Sequence, residues 1–315
     1  MFAVPGAYLH AKIPEGKFAI LKIEGVFVDI MCDVNPEYKA DVRCENGKKV
    51  LYVQILRALY GMIKLSLLWY SLYTEVLQGE GFELNPYDRC VANKMIDGKQ
   101  CTVTWYVDDK LLSHVDNNVI EGIMTMVGKY FPGLVIERGK KLNFLGMELE
   151  FTEDRKVKIG MVQYLKGMIE EFEEDMAQFG EKLDRKYPSP AAKWLFTVNP
   201  DTKALDTLKG DIYRRFVAKL LWVMKRSRPD IEPTVGFLSS RVKLPDKDDW
   251  HKLKRQMCWL KGTVEDVRII GADNLLKMIV MIDSAHAVHA NMRGQTGGVT
   301  SFGTGIINQK SSISM

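Results

Sequence analysis

The chain of 315 residues has few cysteines, no strong excess of either charge and no long apolar run. Its five cysteines are an odd number without metal-ligand spacing, so neither a disulfide framework nor a zinc finger is supported. Unpatterned thiols of this kind predict an intracellular protein. No apolar stretch approaches about 18 residues, so the sequence predicts no transmembrane segment. Lys plus Arg total 44 and Asp plus Glu total 40, which permits nucleic-acid binding without requiring it.

The composition is that of a globular protein with a substantial core, since apolar residues make up 46% and charged residues 27%. Strands and helices alternate through residues 1–160 with strands meeting in hairpins, which predicts an α+β fold. Helical patterns dominate residues 161–276, although the proline-containing segment 184–204 is typical of an extended linker. A glycine- and serine-rich stretch at 277–315 predicts a small sheet.

Three local patterns carry most of the secondary-structure prediction for the first part. Apolar and polar residues alternate over 17–30 around Gly25, which predicts two short strands or a hairpin. Apolar residues at helical spacing, Leu67 among them, predict a helix after Gly61. The run CTVTWYVDDKLLSHV at 101–115 predicts a hairpin whose turn lies at its Asp-Asp pair.

The tetrapeptide Tyr106-Val107-Asp108-Asp109 in that hairpin is the strongest chemical signal. Two adjacent carboxylates repel each other and destabilise the fold unless a cation lies nearby. Mg²⁺ prefers carboxylate oxygen and binds through one or two carboxylates plus substrate phosphates. An ordinary turn remains the alternative for the dipeptide taken alone, because aspartate favours turns.

The tetrapeptide resembles the catalytic motif of reverse transcriptases, and further segments resemble the Ty1/copia-type retrotransposon polyprotein in the family's order. The resemblance spans nearly the whole chain. The segments are AYLHAKIPEG (7–16), RALYGMIKLSLLWYSLY (57–73), NFLGMELEF (143–151), YRRFVAKLLWVMKRSRPDI (213–231) with WHKLKRQMCWLKGT (250–263), and IDSAHAVHANMRGQTGGVTSF (282–302).

The resemblance implies roles for several residues. Asp108 and Asp109 would be the catalytic metal ligands, aided by a third carboxylate from a neighbouring strand. Asp283 would match the first metal-binding aspartate of ribonuclease H. The residues implied to contact substrate are Tyr60 and Gly61 near the nucleotide and template, Leu145 and Gly146 near the primer strand, and Tyr106.

The resemblance also implies an architecture and a set of partners. A reverse-transcriptase palm, with incomplete fingers, would occupy 1–160, a helical thumb or connection region 161–276, and a truncated ribonuclease H-like start 277–315. The partners would be an RNA or DNA template with a primer, deoxynucleoside triphosphates, and two Mg²⁺ ions for which Mn²⁺ is a substitute. No membrane partner is expected, and the location would be cytoplasmic (particle-associated) or nuclear.

The chain departs from the family pattern at the first catalytic aspartate. Counting back four residues from Ala7 gives Ala3, and a methyl group cannot ligate Mg²⁺. Asp29 and Asp33 are acidic residues nearby, but their spacing does not predict a replacement. We therefore expect an impaired polymerase. We also expect an incomplete ribonuclease H site, because the sequence stops at Met315, before the acidic residues of a later helix and strand could appear.

Two other departures concern the nucleotide and template contacts, since Lys64 and Leu67 stand where many family members carry Gln and Arg. A catalytically dead nucleic-acid-binding relic is the alternative function. One basic helix face, with Lys252, Lys254, Arg255 and Lys261, is a candidate for contacting a phosphate backbone, although a solvated surface explains it equally well. Whether the chain is active, its oligomeric state and its template preference stay open.

Overall fold

The computed structural model describes residues 1–314, which form a mixed α/β fold with antiparallel sheets. Two compact units follow one another, Met1–Glu137 and the remainder from Arg138. The elements of the first unit are β1 (Phe2–Ala3), α1 (Ala7–His10), β2 (Ile20–Glu24), α2 (Val26–Val34), β3 (Arg43–Glu45), β4 (Lys48–Gln54), α3 (Leu65–Gly79), β5 (Glu83–Leu84), β6 (Val91–Ile96), β7 (Lys99–Tyr106), β8 (Asp109–Ser113), α4 (Asn117–Tyr130) and β9 (Val135–Ile136).

A six-stranded antiparallel sheet organises the first unit, in the order β5-β6-β7-β8-β1-β9. The alternation in β7 buries Cys101, Val103 and Trp105 on one face. The short strand β1 lies between β8 and β9, although β1 and β8 are more than 100 residues apart in the chain. The middle of this sheet therefore depends on long-range pairing.

Helix α3 packs one apolar stripe into the core of this unit. The predicted helix is present, but its buried stripe is Leu65, Trp69, Tyr73 and Leu77, at i, i+4, i+8 and i+12, whereas Leu67 of the predicted stripe is exposed. The rings of Trp69 and Tyr73 are 5.5 Å apart between centroids and stacked. Aromatic packing therefore decides which face of the helix is buried.

The prediction for residues 17–30 is wrong in its second half. Ile20–Glu24 is a strand of a small antiparallel sheet in the order β2-β4-β3, but a helix follows. Gly25 has φ +66°, which interrupts the strand. Val28 and Cys32 then lie one turn apart and bury against Leu51, so packing overrides the β preference of this valine-rich run.

The second unit begins with a four-stranded antiparallel sheet and continues into helices, irregular segments and a second sheet. Its elements are β10 (Lys141–Phe144), β11 (Met147–Phe151), β12 (Val157–Gly160), α5 (Val162–Ala177), α6 (Thr207–Arg226), α7 (Glu232–Ser240), α8 (Lys247–Gly262), β13 (Arg268–Ile270), β14 (Ile279–Ala285), β15 (Gln295–Ser301) and β16 (Asn308–Ile313).

The helices α5 to α8 share one buried apolar core, and the irregular segment 184–204 lies against it. Leu195 of that segment is buried in the helical core. Arg255 on α8 donates to the carbonyl of Ser189, and Lys252 donates to the carbonyl of Thr197. The proline-containing segment is thus attached to the helices by side-chain to backbone hydrogen bonds. The domain boundaries proposed near 160 and 276 stay predictions.

The strands β14, β15 and β16 form an antiparallel sheet of three. Ile279 to Ile282 in β14 all have exposed side chains. Within residues 1–314, no helix combines the length and the apolar character that a membrane span needs.

A buried amide in the helical core leads to a stability prediction. Gln256 on α8 is fully buried, and neither its amide nitrogen nor its amide oxygen has a hydrogen-bond partner among the described residues. We expect Gln256→Met to raise the free energy of unfolding by about 1–2 kcal/mol, because it removes unpaired polar atoms at similar volume. Urea unfolding measures this. Gln178→Met, at an exposed position, is the control and should have little effect; a destabilised Gln256→Met would contradict the prediction.

Glu181 leads to a pH prediction, because its carboxylate accepts from Lys209 at 2.7 Å, Lys254 at 2.6 Å and the indole nitrogen of Trp250 at 3.1 Å. Burial raises the pKa of Glu181, but these three hydrogen bonds outweigh it and lower the pKa from 4.5 to about 2. A lowered pKa means that this stabilisation is full above pH 4.5 and is lost as the pH falls towards 2. Glu181→Gln should lose stability at pH 7 and show a flatter decline below pH 4.5; parallel curves of melting temperature against pH for both proteins would contradict this.

Candidate catalytic hairpin

The hairpin of β7 and β8 has a two-residue turn. Tyr106 pairs with Asp109 across the ladder, so the turn consists of Val107 and Asp108. The turn therefore lies one residue earlier than predicted, and Asp109 is the first residue of β8. Asp108 is exposed at the tip and Asp109 is half-buried beside it.

Val107 adopts a conformation that its side chain disfavours. Its φ is +53°, in the left-handed region where a β-branched residue is an outlier. The indole nitrogen of Trp69 donates to the Val107 carbonyl at 2.7 Å. The amino nitrogen of Lys110 donates to the same carbonyl at 2.9 Å. Such a conformation persists only where surrounding contacts hold it.

The strand β1 lies beside the hairpin, and its register places Ala3 opposite Asp109. The backbone nitrogen of Val4 donates to the Asp108 carbonyl at 3.0 Å, which attaches the same strand to the turn. A side chain at position 3 is therefore a cross-strand neighbour of Asp109. The sheet register thus places Ala3, where the resemblance implies the first catalytic aspartate, beside Asp109.

The two other acidic residues considered for that role are elsewhere in the first unit. Asp29 and Asp33 lie on α2, and the Asp29 carboxylate pairs with the amino group of Lys49 at 2.6 Å. Neither residue belongs to the six-stranded sheet. They do not replace the carboxylate that Ala3 lacks.

Burial and a neighbouring negative charge both act on Asp109. Burial, followed by the negative charge of Asp108, raises the pKa of Asp109. Lys110 alternates with Asp109 in β8 and points into the core, where it is 0% exposed. Burial lowers the pKa of Lys110 to about 7, although Asp108 and Asp109 act in the opposite direction.

The two aspartates offer the kind of oxygen ligand that a divalent cation binds. Adjacent carboxylates that repel each other provide the oxygen ligands that Mg²⁺ prefers, with substrate phosphates completing its shell. Among residues 1–314, however, no group of three or more His, Cys, Asp or Glu side chains is placed to hold a metal. Asp108 and Asp109 are thus the residues present for a cation, without a third carboxylate.

The other predicted site residues of the first unit lie on exposed surface. Tyr60 and Gly61 precede α3 in a turn, where Gly61 has φ +96° and open space around its Cα. The ring of Tyr60 packs edge-on against that of Tyr8, with centroids 5.1 Å apart. Tyr106 ends β7 with an exposed ring. An exposed aromatic ring can stack on a nucleobase.

Three predicted site residues belong to the second unit. Leu145 and Gly146 form the turn between β10 and β11, with φ of +52° and +75°. Asp283 lies on β14 opposite Gly297, and its carboxylate accepts from the backbone nitrogen of Ser284 at 2.9 Å.

The basic face predicted on α8 is largely occupied by internal partners. Lys252 is 2% exposed, and Lys254 pairs with Glu181. Lys261 pairs with Glu173 at 2.7 Å, and the Arg255 guanidinium lies 4.0 Å from the ring centroid of Tyr187. These contacts stabilise the helical core, which weakens the case for a phosphate-binding face.

The sequence does not indicate that Lys110 or Trp69 contacts the turn. Trp69 is buried in the core, and helical spacing does not predict its hydrogen bond to the Val107 carbonyl. Lys110 carried a signal, since a lysine occupies an inward position of an alternating strand. A charged residue at a core position indicates a specific partner.

The chain is similar to known proteins along most of its length. A family model described as reverse transcriptase (RNA-dependent DNA polymerase) matches residues 5–179, more than half of the chain. The chain is similar to the retrovirus-related Pol polyprotein from transposon TNT 1-94 of Nicotiana tabacum, with 25% identity over 274 residues, covering 85% of this chain and 20% of the relative.

Two yeast proteins from Saccharomyces cerevisiae are also similar. The transposon Ty1-ER2 Gag-Pol polyprotein is 21% identical over 283 residues, covering 82% of this chain and 15% of the relative. The putative transposon Ty5-1 protein is 21% identical over 246 residues, covering 78% of this chain and 76% of the relative. The chain thus spans only a small part of the tobacco and Ty1 polyproteins.

The raised pKa of Asp109 leads to a prediction for Asp109→Asn. Because the charged carboxylate is disfavoured in the fold, we expect the variant to melt at a higher temperature than the parent at pH 7. The gain should disappear below pH 3.8, where the parent carboxyl is protonated. Thermal unfolding at both pH values measures this, with Glu75→Gln at an exposed position of α3 as the control. A lower melting temperature for Asp109→Asn at pH 7 would contradict the assigned electrostatics.

Proposed function

The chain belongs to the reverse transcriptase (RNA-dependent DNA polymerase) family, as a domain of a Ty1/copia-type retrotransposon, and we propose that its Val107–Asp108 hairpin is the polymerase site. The observation that carries the proposal is the two-residue turn, which holds Asp108 and Asp109 side by side next to strand β1. Template, primer and deoxynucleoside triphosphates are the proposed partners.

The proposed reaction extends a primer by one nucleotide. The primer 3′-hydroxyl oxygen forms a bond to the α-phosphorus of the incoming nucleotide, and the bond to pyrophosphate breaks. Mg²⁺, with Mn²⁺ as a substitute, would supply charge neutralisation at the phosphates when bound by Asp108 and Asp109. Tyr60, Gly61 and Tyr106 would contact the nucleotide and template.

Strand β1, next to the hairpin, supports the proposal that the polymerase site is impaired. Ala3 stands across from Asp109, where the family carries its first catalytic aspartate, and a methyl group provides no metal ligand. Losing one ligand of a two-metal site costs several kcal/mol of transition-state stabilisation, and the rate falls about tenfold for each 1.4 kcal/mol. We therefore propose that nucleotidyl transfer by this chain is weak or absent.

The proposed roles of residues in the second unit also follow from the family resemblance. Leu145 and Gly146 would lie near the primer strand, and the helices α5 to α8 would correspond to a thumb or connection region. The antiparallel order β14-β15-β16 supports a ribonuclease H-like start with Asp283 as its first metal-binding aspartate. The proposed location is intracellular, in cytoplasmic particles or in the nucleus.

A primer-extension assay on poly(rA)/oligo(dT) tests the proposal with Mg²⁺ and with Mn²⁺. We expect little extension by the parent chain and a gain of at least about tenfold in Ala3→Asp, because a third carboxylate would join the other two. The gain should vanish in the double variant that also carries Asp108→Asn. The matched control is Asp29→Asn, which removes a carboxylate on α2 and should leave extension unchanged.

Two outcomes would overturn parts of the proposal. Clear extension by the parent that Asp108→Asn abolishes would refute the impairment. Absence of extension in every variant, together with salt-sensitive nucleic-acid binding that needs no divalent cation, would favour the binding relic instead.

A further inference from the structure

Lys110 is buried directly beneath the candidate turn. It occupies a core position of β8, opposite Trp105 in the β7 ladder and opposite Phe2 in the β1 ladder. Its amino nitrogen lies 5.0 Å from the ring centroids of both Trp69 and Tyr73. A lysine in such surroundings is unfavourable unless its donors are used.

The donors of Lys110 are used on the turn itself. The amino nitrogen donates to the carbonyls of Val107 and Asp108, each at 2.9 Å. The Val107 carbonyl also accepts from Trp69, and the Asp108 carbonyl also accepts from the backbone nitrogen of Val4. Each of these two carbonyls therefore has both of its lone pairs occupied.

These four hydrogen bonds explain how the strained turn persists. Val107 at φ +53° is costly by itself, and a two-residue turn has few other contacts. Donors from three separate elements, α3, β8 and the end of β1, converge on its inner side. A primary amine has at least two N–H groups in either protonation state, so the two Lys110 contacts do not depend on its charge.

We propose that Lys110, with Trp69, is a positioning residue that holds the Val107–Asp108 turn and thereby the directions of the Asp108 and Asp109 carboxylates. The proposal deepens the proposed function, because positioning of these carboxylates matters only if they hold a cation. In this proposal Lys110 touches no substrate. Its role is to keep the carboxylates of Asp108 and Asp109 in one arrangement.

The experiment compares Lys110→Met, Lys110→Gln and Trp69→Phe with the parent. Gln keeps two N–H donors without charge, and Met keeps the volume without donors. Lys252→Met is the matched control, since Lys252 is a buried lysine of α8 that donates to the carbonyl of Thr197. The readouts are amide hydrogen exchange of the hairpin, and Mn²⁺ binding followed by water-proton relaxation, with Asp108→Asn defining the signal from the site.

We expect Lys110→Met to speed exchange at residues 107–109 and to weaken Mn²⁺ binding, each about tenfold, which corresponds to about 1.4 kcal/mol. Trp69→Phe should act in the same direction, and Lys110→Gln should restore part of both losses. Lys252→Met should lower the melting temperature without changing either readout.

The proposal fails if the hairpin amides of Lys110→Met exchange hydrogen at the parent rate, or if Lys110→Gln and Lys110→Met give the same exchange rates and Mn²⁺ affinities. It also fails if Lys252→Met changes hydrogen exchange of the hairpin as strongly as Lys110→Met does. Tighter Mn²⁺ binding in Lys110→Met would overturn it too, because that result would make Lys110 a source of repulsion. If Asp108→Asn leaves the parent Mn²⁺ signal unchanged, the proposed metal-binding role fails, while hydrogen exchange still decides whether Lys110 and Trp69 hold the turn.

Discussion

The pairing of β1 with β8 is the constraint on which the candidate site depends. It inserts a two-residue strand between β8 and β9, places Ala3 beside Asp109 and brings the Val4 nitrogen to the Asp108 carbonyl. Without that pairing, the hairpin would lose both its cross-strand neighbour and one of the four hydrogen bonds to its turn. The same short ladder thus joins the stability of the sheet to the geometry of the carboxylates.

The hairpin also collects features that are unfavourable individually. Two like charges are adjacent, a valine has a positive φ, and a lysine is buried. The hydrogen bonds of Trp69 and Lys110 to the turn carbonyls account for the positive φ of Val107 and for the buried amine, while Asp108 remains exposed. Strain and buried charge at one place are typical of functional sites, where stability is traded for a required arrangement.

In the second unit, charged side chains pair with one another and stabilise the packing of helices and an irregular segment. Glu181 binds Lys209, Lys254 and Trp250, so an irregular segment is attached to two helices through one carboxylate. The cations that give α8 its basic pattern are therefore engaged internally. A basic periodicity in a sequence does not distinguish a surface for phosphate from a set of ion pairs, because both need the same spacing along a helix.

The sequence by itself determined the hairpin and the helix after Gly61, because alternation and helical period are properties of contiguous residues. The missing carboxylate at Ala3 is implied by the family resemblance and stays a prediction. Only the tertiary structure decided that residues 26–34 form a helix, that α3 buries Trp69 and not Leu67, and that the turn lies at Val107 and Asp108. It also decided the contacts of Lys110. These features depend on which distant segments pack together. Local periodicity does not predict the register between two distant strands or the buried hydrogen bonds between distant segments.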